Sequence, residues 1–117
     1  MRMNKDVSIA LNLISMVNAT PRTVASLAAE MGESVLFLQQ IVRKLRQHGI
    51  ISVTRGPGGG ITRPDEYGSI SLLAVYGALG KAPKAGKVLS LNSDVVNKAL
   101  LAYLSNTQIP YGRLAYV

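Results

Sequence analysis

Apolar residues near the start of the chain fall at Val7, Ala10, Leu11, Ile14 and Val17, three and four apart, with polar residues between them. That spacing lines one face of a helix over residues 4–18, which Pro21 stops. Thr23 is an N-cap for a short helix from Val24 to Met31, and Gly32 stands where a left-handed C-cap residue is wanted. Ser34 caps a third helix running to about His48, and Gly49 ends it. On a wheel of about 100° per residue, Val35, Leu38, Ile41, Val42 and Leu45 gather on one side of that helix as its core face. Leu36, Gln40, Arg43 and Gln47 lie opposite, flanked by Phe37, Gln39 and Lys44. Only "GES" joins the second and third helices, so the three form a helix-turn-helix pattern.

The period then changes. "IISVTR", residues 50–55, is β-branched and alternating, with Ile51 and Val53 on one face, and residues 61–63 read as a short returning strand. A helix-turn-helix followed at once by a hairpin is the order of a winged helix. A fourth helix over residues 72–79 is capped by Ser71 and ended by Gly80. Residues 81–92 have no periodicity and hold three lysines without an acid, which reads as a mobile basic loop. A fifth helix spans residues 93–104, with Val95, Val96, Ala99, Leu100 and Tyr103 in one broad stripe and Leu101 and Leu104 outside it. A helix apolar over so much of its circumference is buried on two sides. The second side is either another copy of the chain or the interior of the monomer. The first option makes Val95, Val96, Ala99, Leu100, Tyr103 and Leu104 a dimer interface. The tail "IPYGRLAYV" is apolar and is expected to dock. The expected fold class is mostly α with a small β-hairpin: a winged helix-turn-helix over residues 1–80, the basic loop at 81–92, and a C-terminal dimerisation helix and tail at 93–117.

Charge sharpens this picture. The chain of 117 residues carries a formal charge of +7, and its pI is near 10.1, so a polyanion is the expected partner. There is no cysteine, which excludes disulfides, thiolate catalysis and cysteine-ligated metal. The first residues lack the continuous apolar core of a signal peptide, and no segment approaches a membrane span. A cytoplasmic, nucleoid-associated protein is expected. His48 is the single histidine and a poor metal site; Asp65 and Glu66 are adjacent carboxylates better suited to capping or solvation than to catalysis. No histidine–acid arrangement accompanies any serine or threonine. Neither an enzyme, a cofactor nor a metal site is expected.

The stretch "RGPGGGITRP", residues 55–64, is the most distinctive in the chain. A phosphate-binding loop needs a lysine and a hydroxyl after its last glycine and then a helix; here Ile61 and Thr62 follow, and Pro64 forbids a long helix. A wing fits better, because Gly56, Gly58 and Gly59 let the backbone turn close to a duplex and Pro57 restricts the loop. Arg55 suits a narrow minor groove or phosphate, and Arg63 is a second cation for the DNA backbone. On the third helix, Leu36 and Phe37 at the first turn could meet thymine methyl groups, unless Phe37 packs under the first helix or the wing. Gln39 and Gln40 carry the donor–acceptor pair that matches adenine, Arg43, Lys44 and Arg46 lie toward phosphate or guanine, and Gln47 continues the same contacting face. Thr23 and Ser34, at the starts of two helices, complete the expected DNA-contacting set.

"LRQHGIISVTRGPGGGI", preceded by "VASLAAEMGESVLFLQQIV" and followed by "ISLLAVYGALG", resembles the Rrf-type family of bacterial winged-helix transcription regulators. The resemblance is strong over residues 4–80, and its most specific element is "RGPGGG" directly behind "LRxxG". It implies a homodimer that places the third helix in the major groove and the wing in the minor groove of a roughly palindromic site. Leu36, Phe37 and Gln39 match the family's base-reading positions, and Arg55 matches its wing arginine. Several relatives hold an iron–sulfur cluster with three cysteines after the fourth helix; this chain has none there, so cluster sensing is not carried over. Relatives tend to have a polar residue at the position of Leu36 and an acid at that of Gln39, which implies a different operator. The alternative reading is a winged-helix interaction module that captures another protein or pairs with a related regulator, a role that exposed Leu36 and Phe37 would also suit.

Overall fold

A computed structural model describes residues 5–64, 68–80 and 102–112. The first helix, α1 (Lys5–Met16), is buried at Val7, Ile9, Ala10, Leu13 and Ile14. This is a wider arc than the single stripe expected from the sequence, because three other helices and a C-terminal strand all pack on α1. Ile9 and Leu13 therefore join the core, whereas Leu11 stays half-buried.

The helix α2 (Val24–Met31) starts at Thr23, whose hydroxyl accepts a hydrogen bond from the Ser26 amide at 3.1 Å. It ends at Gly32, where φ is +71° and the next amide, of Glu33, reaches back to the Ala28 carbonyl at 2.9 Å. The helix α3 (Val35–Gln47) begins three residues after Gly32, with the Ser34 hydroxyl accepting from the Phe37 amide at 3.1 Å. Its far end is a Schellman motif: Gly49 donates to the Arg46 carbonyl at 3.0 Å, and Ile50 to that of Leu45 at 2.9 Å. Ile50 and Ile51 are both buried, so the expected alternation starts late and the strand β1 is only Ser52–Thr54.

The partner strand β2 (Gly60–Thr62) runs antiparallel, with Val53 opposite Ile61. The segment before α2 adds a third rung on the far side of β2: Arg22 donates to the Ile61 carbonyl at 3.1 Å and accepts from its amide at 2.7 Å. A second two-stranded sheet, not anticipated from the sequence, pairs β3 (Ser69–Ser71) with β4 (Gln108–Pro110). The helix α4 (Leu72–Ala78) follows β3 directly, capped by Ser71 as expected. Tyr76 on α4 is buried with no hydrogen-bond partner for its hydroxyl among the described residues, and that burial pushes its pKa up.

The expected basic loop at 81–92 and most of the fifth helix lie outside the described residues, among them Val95, Val96, Ala99 and Leu100. Residues 102–106 are helical and lead into β4. Here one expectation is corrected. Leu104 is 1% exposed, packed into the chain's own core, and so is not a surface for a partner. Tyr103 beside it is 60% exposed.

Candidate nucleic-acid interface

Leu38, Ile41, Val42 and Leu45 hold α3 against the core, and the face turned away from them is exposed. That exposed face carries Leu36, Gln39, Gln40, Arg43, Lys44 and Gln47, together with Arg46. Leu36 is 70% exposed, a large apolar side chain with no packing reason to stand in water. Val35 departs from expectation: it is 41% exposed rather than part of the core. It is the first residue of the helix and sits at the margin of the buried arc, where no preceding turn covers it. Phe37 lies on the other margin. It is half-buried against the core, with the Lys5 ammonium of α1 over its ring at 5.8 Å. Its ring is thus partly committed to holding α1 and α3 together, unlike that of an outward-facing reader.

The hairpin beside α3 turns through Arg55, Gly56, Pro57, Gly58 and Gly59, of which the first four are exposed. Gly59 donates to the Gly56 carbonyl at 3.0 Å, closing a turn with Pro57 and Gly58 at its centre. Gly58 has φ +76°, and proline followed by a glycine of positive φ is the type II arrangement. Gly60 is needed for another reason: a Cβ there would collide with the Arg22 carbonyl of the adjoining rung. The loop is exposed, while the base of the hairpin is anchored by Ile61, 1% exposed. Arg63, just past β2, is half-buried, and its amide is bonded to the Asn18 carbonyl at 3.0 Å.

Between α3 and the hairpin lies an open cleft of 560 Å³ lined by Gln39, Arg43, Arg46 and Gln47 on one side and by Val53, Gly60 and Ile61 on the other. Four of these side chains can donate hydrogen bonds, and two are cationic. Arg46, expected to lie toward phosphate or guanine, lines this cleft on the flank nearest the hairpin. No acidic residue occurs between Glu33 and Asp65, whereas Arg43, Lys44, Arg46, Arg55 and Arg63 all fall there. The surface formed by α3 and the wing is therefore positive without local compensation, as binding to a polyanion requires. Arg22 behaves differently: its guanidinium bonds Glu30 at 2.6 Å and the Ser26 hydroxyl at 2.8 Å, which ties α2 to the base of the wing. Thr23 and Ser34 use their hydroxyl oxygens as caps and keep their O–H donors for other acceptors.

No helix among the described residues is long and apolar enough to cross a membrane. A family model described as "Iron-dependent Transcriptional regulator" (Rrf2) matches residues 3–108. The HTH-type transcriptional regulator IscR of Citrobacter koseri is 33% identical over 79 residues, which are 68% of this chain and 46% of that protein. The chain therefore matches about half the length of such curated relatives. Among solved structures, CymR (YrzC), the global cysteine regulator of B. subtilis, superposes with a TM-score of 0.72 at 20% identity, covering all of this chain and 98% of that one. An IscR from T. potens gives 0.67 at 19% identity, covering 93% of this chain and 83% of that one. These likenesses establish the winged-helix fold. The chain has no cysteine and one histidine, and among the described residues no three histidine, aspartate or glutamate side chains converge as ligands for the iron of the family description. That histidine, His48, places Nδ1 3.0 Å from the Lys44 carbonyl oxygen at the end of α3.

Proposed function

The chain belongs to the Rrf2 family of transcriptional regulators, and from that premise we propose that it binds duplex DNA sequence-specifically as a homodimer, without an iron–sulfur cluster. The observation that carries the reading is the cleft in which Gln39, Arg43, Arg46 and Gln47 face a glycine-tipped wing, on a surface without an acid. The helix α3 enters the major groove, where Gln39 and Gln40 match the adenine edge and Leu36 meets a thymine methyl group. The Gly56–Gly59 turn follows the adjoining minor groove, and Arg43, Lys44, Arg46, Arg55 and Arg63 neutralise phosphates. Exposed Tyr103 belongs to the surface that meets a second copy, and the sequence stripe of Val95, Val96, Ala99 and Leu100 is the expected remainder of that interface. Two-fold symmetry then sets two α3 helices about one duplex turn apart on a roughly palindromic operator. The protein works in the cytoplasm, on the chromosome.

Selection of bound fragments from random duplex DNA gives the operator and tests the reading. Gln40→Ala is expected to relax the preference at one base pair by about 1–3 kcal/mol. A loss spread evenly over all sequences would refute base reading by that residue. Salt-independent association, or none with any duplex, would instead favour the protein-capture reading, which rests on exposed Leu36 and Val35.

A further inference from the structure

The tail of the chain is fastened to the junction between the reading helix and the wing. The Tyr111 hydroxyl donates to the Ile50 carbonyl at 2.6 Å, across 61 residues of sequence, and both residues are buried. Ile50 is the residue on which α3 ends: its amide closes the Schellman motif onto Leu45, and β1 begins two residues later at Ser52. With its amide bonded to α3, its carbonyl bonded to Tyr111 and its side chain in the core, the peptide at this corner is fixed at every polar group. The angle at which the hairpin leaves α3 depends on this corner. Tyr111 is itself anchored on both sides, by its amide to the Gly68 carbonyl at 3.2 Å and by the Gly112 amide to the Ile14 carbonyl at 3.3 Å. The strut therefore runs from α1 and the second sheet to the base of the wing. It also lies past residue 108, where the match to the family ends.

The geometry points to Tyr111 as a positioning residue for DNA recognition: through Ile50 it sets the spacing between α3 and the wing so that both fit neighbouring grooves. This rests on the proposed DNA reading. A carbonyl without its donor lets the corner rock, which leaves phosphate attraction intact but blurs the simultaneous fit of helix and wing. Specific binding, which needs both at once, suffers more than non-specific binding, which needs only charge.

Tyr111→Phe removes the donor and keeps the ring in the core. Two measurements on the full chain test the idea, with thermal melting as a check that both proteins are folded. In the first, the ratio of affinities for the selected duplex and a random duplex is expected to fall about three- to tenfold, the range for losing one net hydrogen bond, with random-duplex affinity unchanged. An unchanged ratio, or equal losses on both duplexes, would overturn the proposal. In the second, amide exchange in the DNA-free protein is expected to accelerate in residues 48–55 and to stay as it was in α2. Uniform acceleration, or none, would mean that Tyr111 serves packing alone. If the wild-type chain prefers no duplex, the DNA reading fails by itself, and the exchange measurement still decides whether Tyr111 governs the corner.

Discussion

The two small sheets make an instructive pair. Both are antiparallel, and each strand is three residues long. The strands β1 and β2 are joined by the five residues of the wing, which leaves a tip of exposed arginine, glycine and proline in solvent. The strands β3 and β4 are far apart in sequence and join the tail to the start of α4, where the Leu72 amide also reaches the Thr107 carbonyl at 2.8 Å. One sheet presents a loop and the other fastens a chain end. The difference lies in where the backbone goes after the last rung. In the wing it leaves the protein on a tight glycine turn, and in the second sheet it goes back into the core at Leu104 and Tyr111. The anchors differ as well: Ile61 of the wing is 1% exposed, whereas Ile70 and Ile109, opposite each other in the second sheet, are only half-buried.

The largest expected effect tests those anchors. Ile61→Ala removes a fully buried side chain beneath the wing and is expected to cost about 2–5 kcal/mol, the range for such truncations. Ile109→Ala opens a half-covered site and should cost less than half as much. Denaturant unfolding of both variants measures the contrast, and equal losses would mean that the second sheet is as much a part of the core as the first.

Next come the glycines beside each sheet. Gly60→Ala places a methyl group against the Arg22 backbone at φ +154° and should destabilise by about 1–3 kcal/mol, as other overpacking changes do. Wing-dependent DNA affinity should fall with it. Gly68, before β3, has open space around the same position, so Gly68→Ala should be neutral or stabilise by up to about 1 kcal/mol. Thermal melting compares the two. A destabilised Gly68→Ala would show that the second sheet is as tightly built as the wing.

The same contrast explains how much could be read from the sequence. The caps at Thr23, Ser34 and Ser71, the stops at Gly32 and Gly49, and the wing all rest on residues within a few positions of one another, and local chemistry announces them. The exposed face of α3 was legible for the same reason, since 3.6-residue periodicity alone separates Leu38, Ile41, Val42 and Leu45 from it. What was hidden is non-local. "SIS" and "QIP" are too short and too mixed to read as strands, and only tertiary contact pairs them. Leu104 appears as part of a free apolar face until the core it fills is known. Phe37 reads from the sequence as a DNA contact with packing as the alternative, and the Lys5 ammonium above its ring is invisible from a helical wheel. Arg46 becomes a cleft residue only when the hairpin folds back beside α3.

The smallest effect separates the sheets by charge rather than by packing. Arg55 is exposed at the start of the wing loop and makes no side-chain hydrogen bond or ion pair among the described residues, so Arg55→Ala should leave stability within about 0.5 kcal/mol of the parent, as for ordinary surface changes. Its effect should appear in the salt dependence of DNA binding. Neutralising one phosphate releases about one counterion, so the slope of log K against log salt should shrink by about 1. That loss should be the same on selected and random duplexes, because a phosphate contact carries no sequence information. Ser69→Ala is the matched change in the second sheet: it removes an exposed hydrogen bond of 3.0 Å to Gln108 and should leave that slope unaltered. A slope that is insensitive to Arg55 would take the wing off the DNA. A slope that responds to Ser69 would bring the second sheet onto it and erase the distinction between the two.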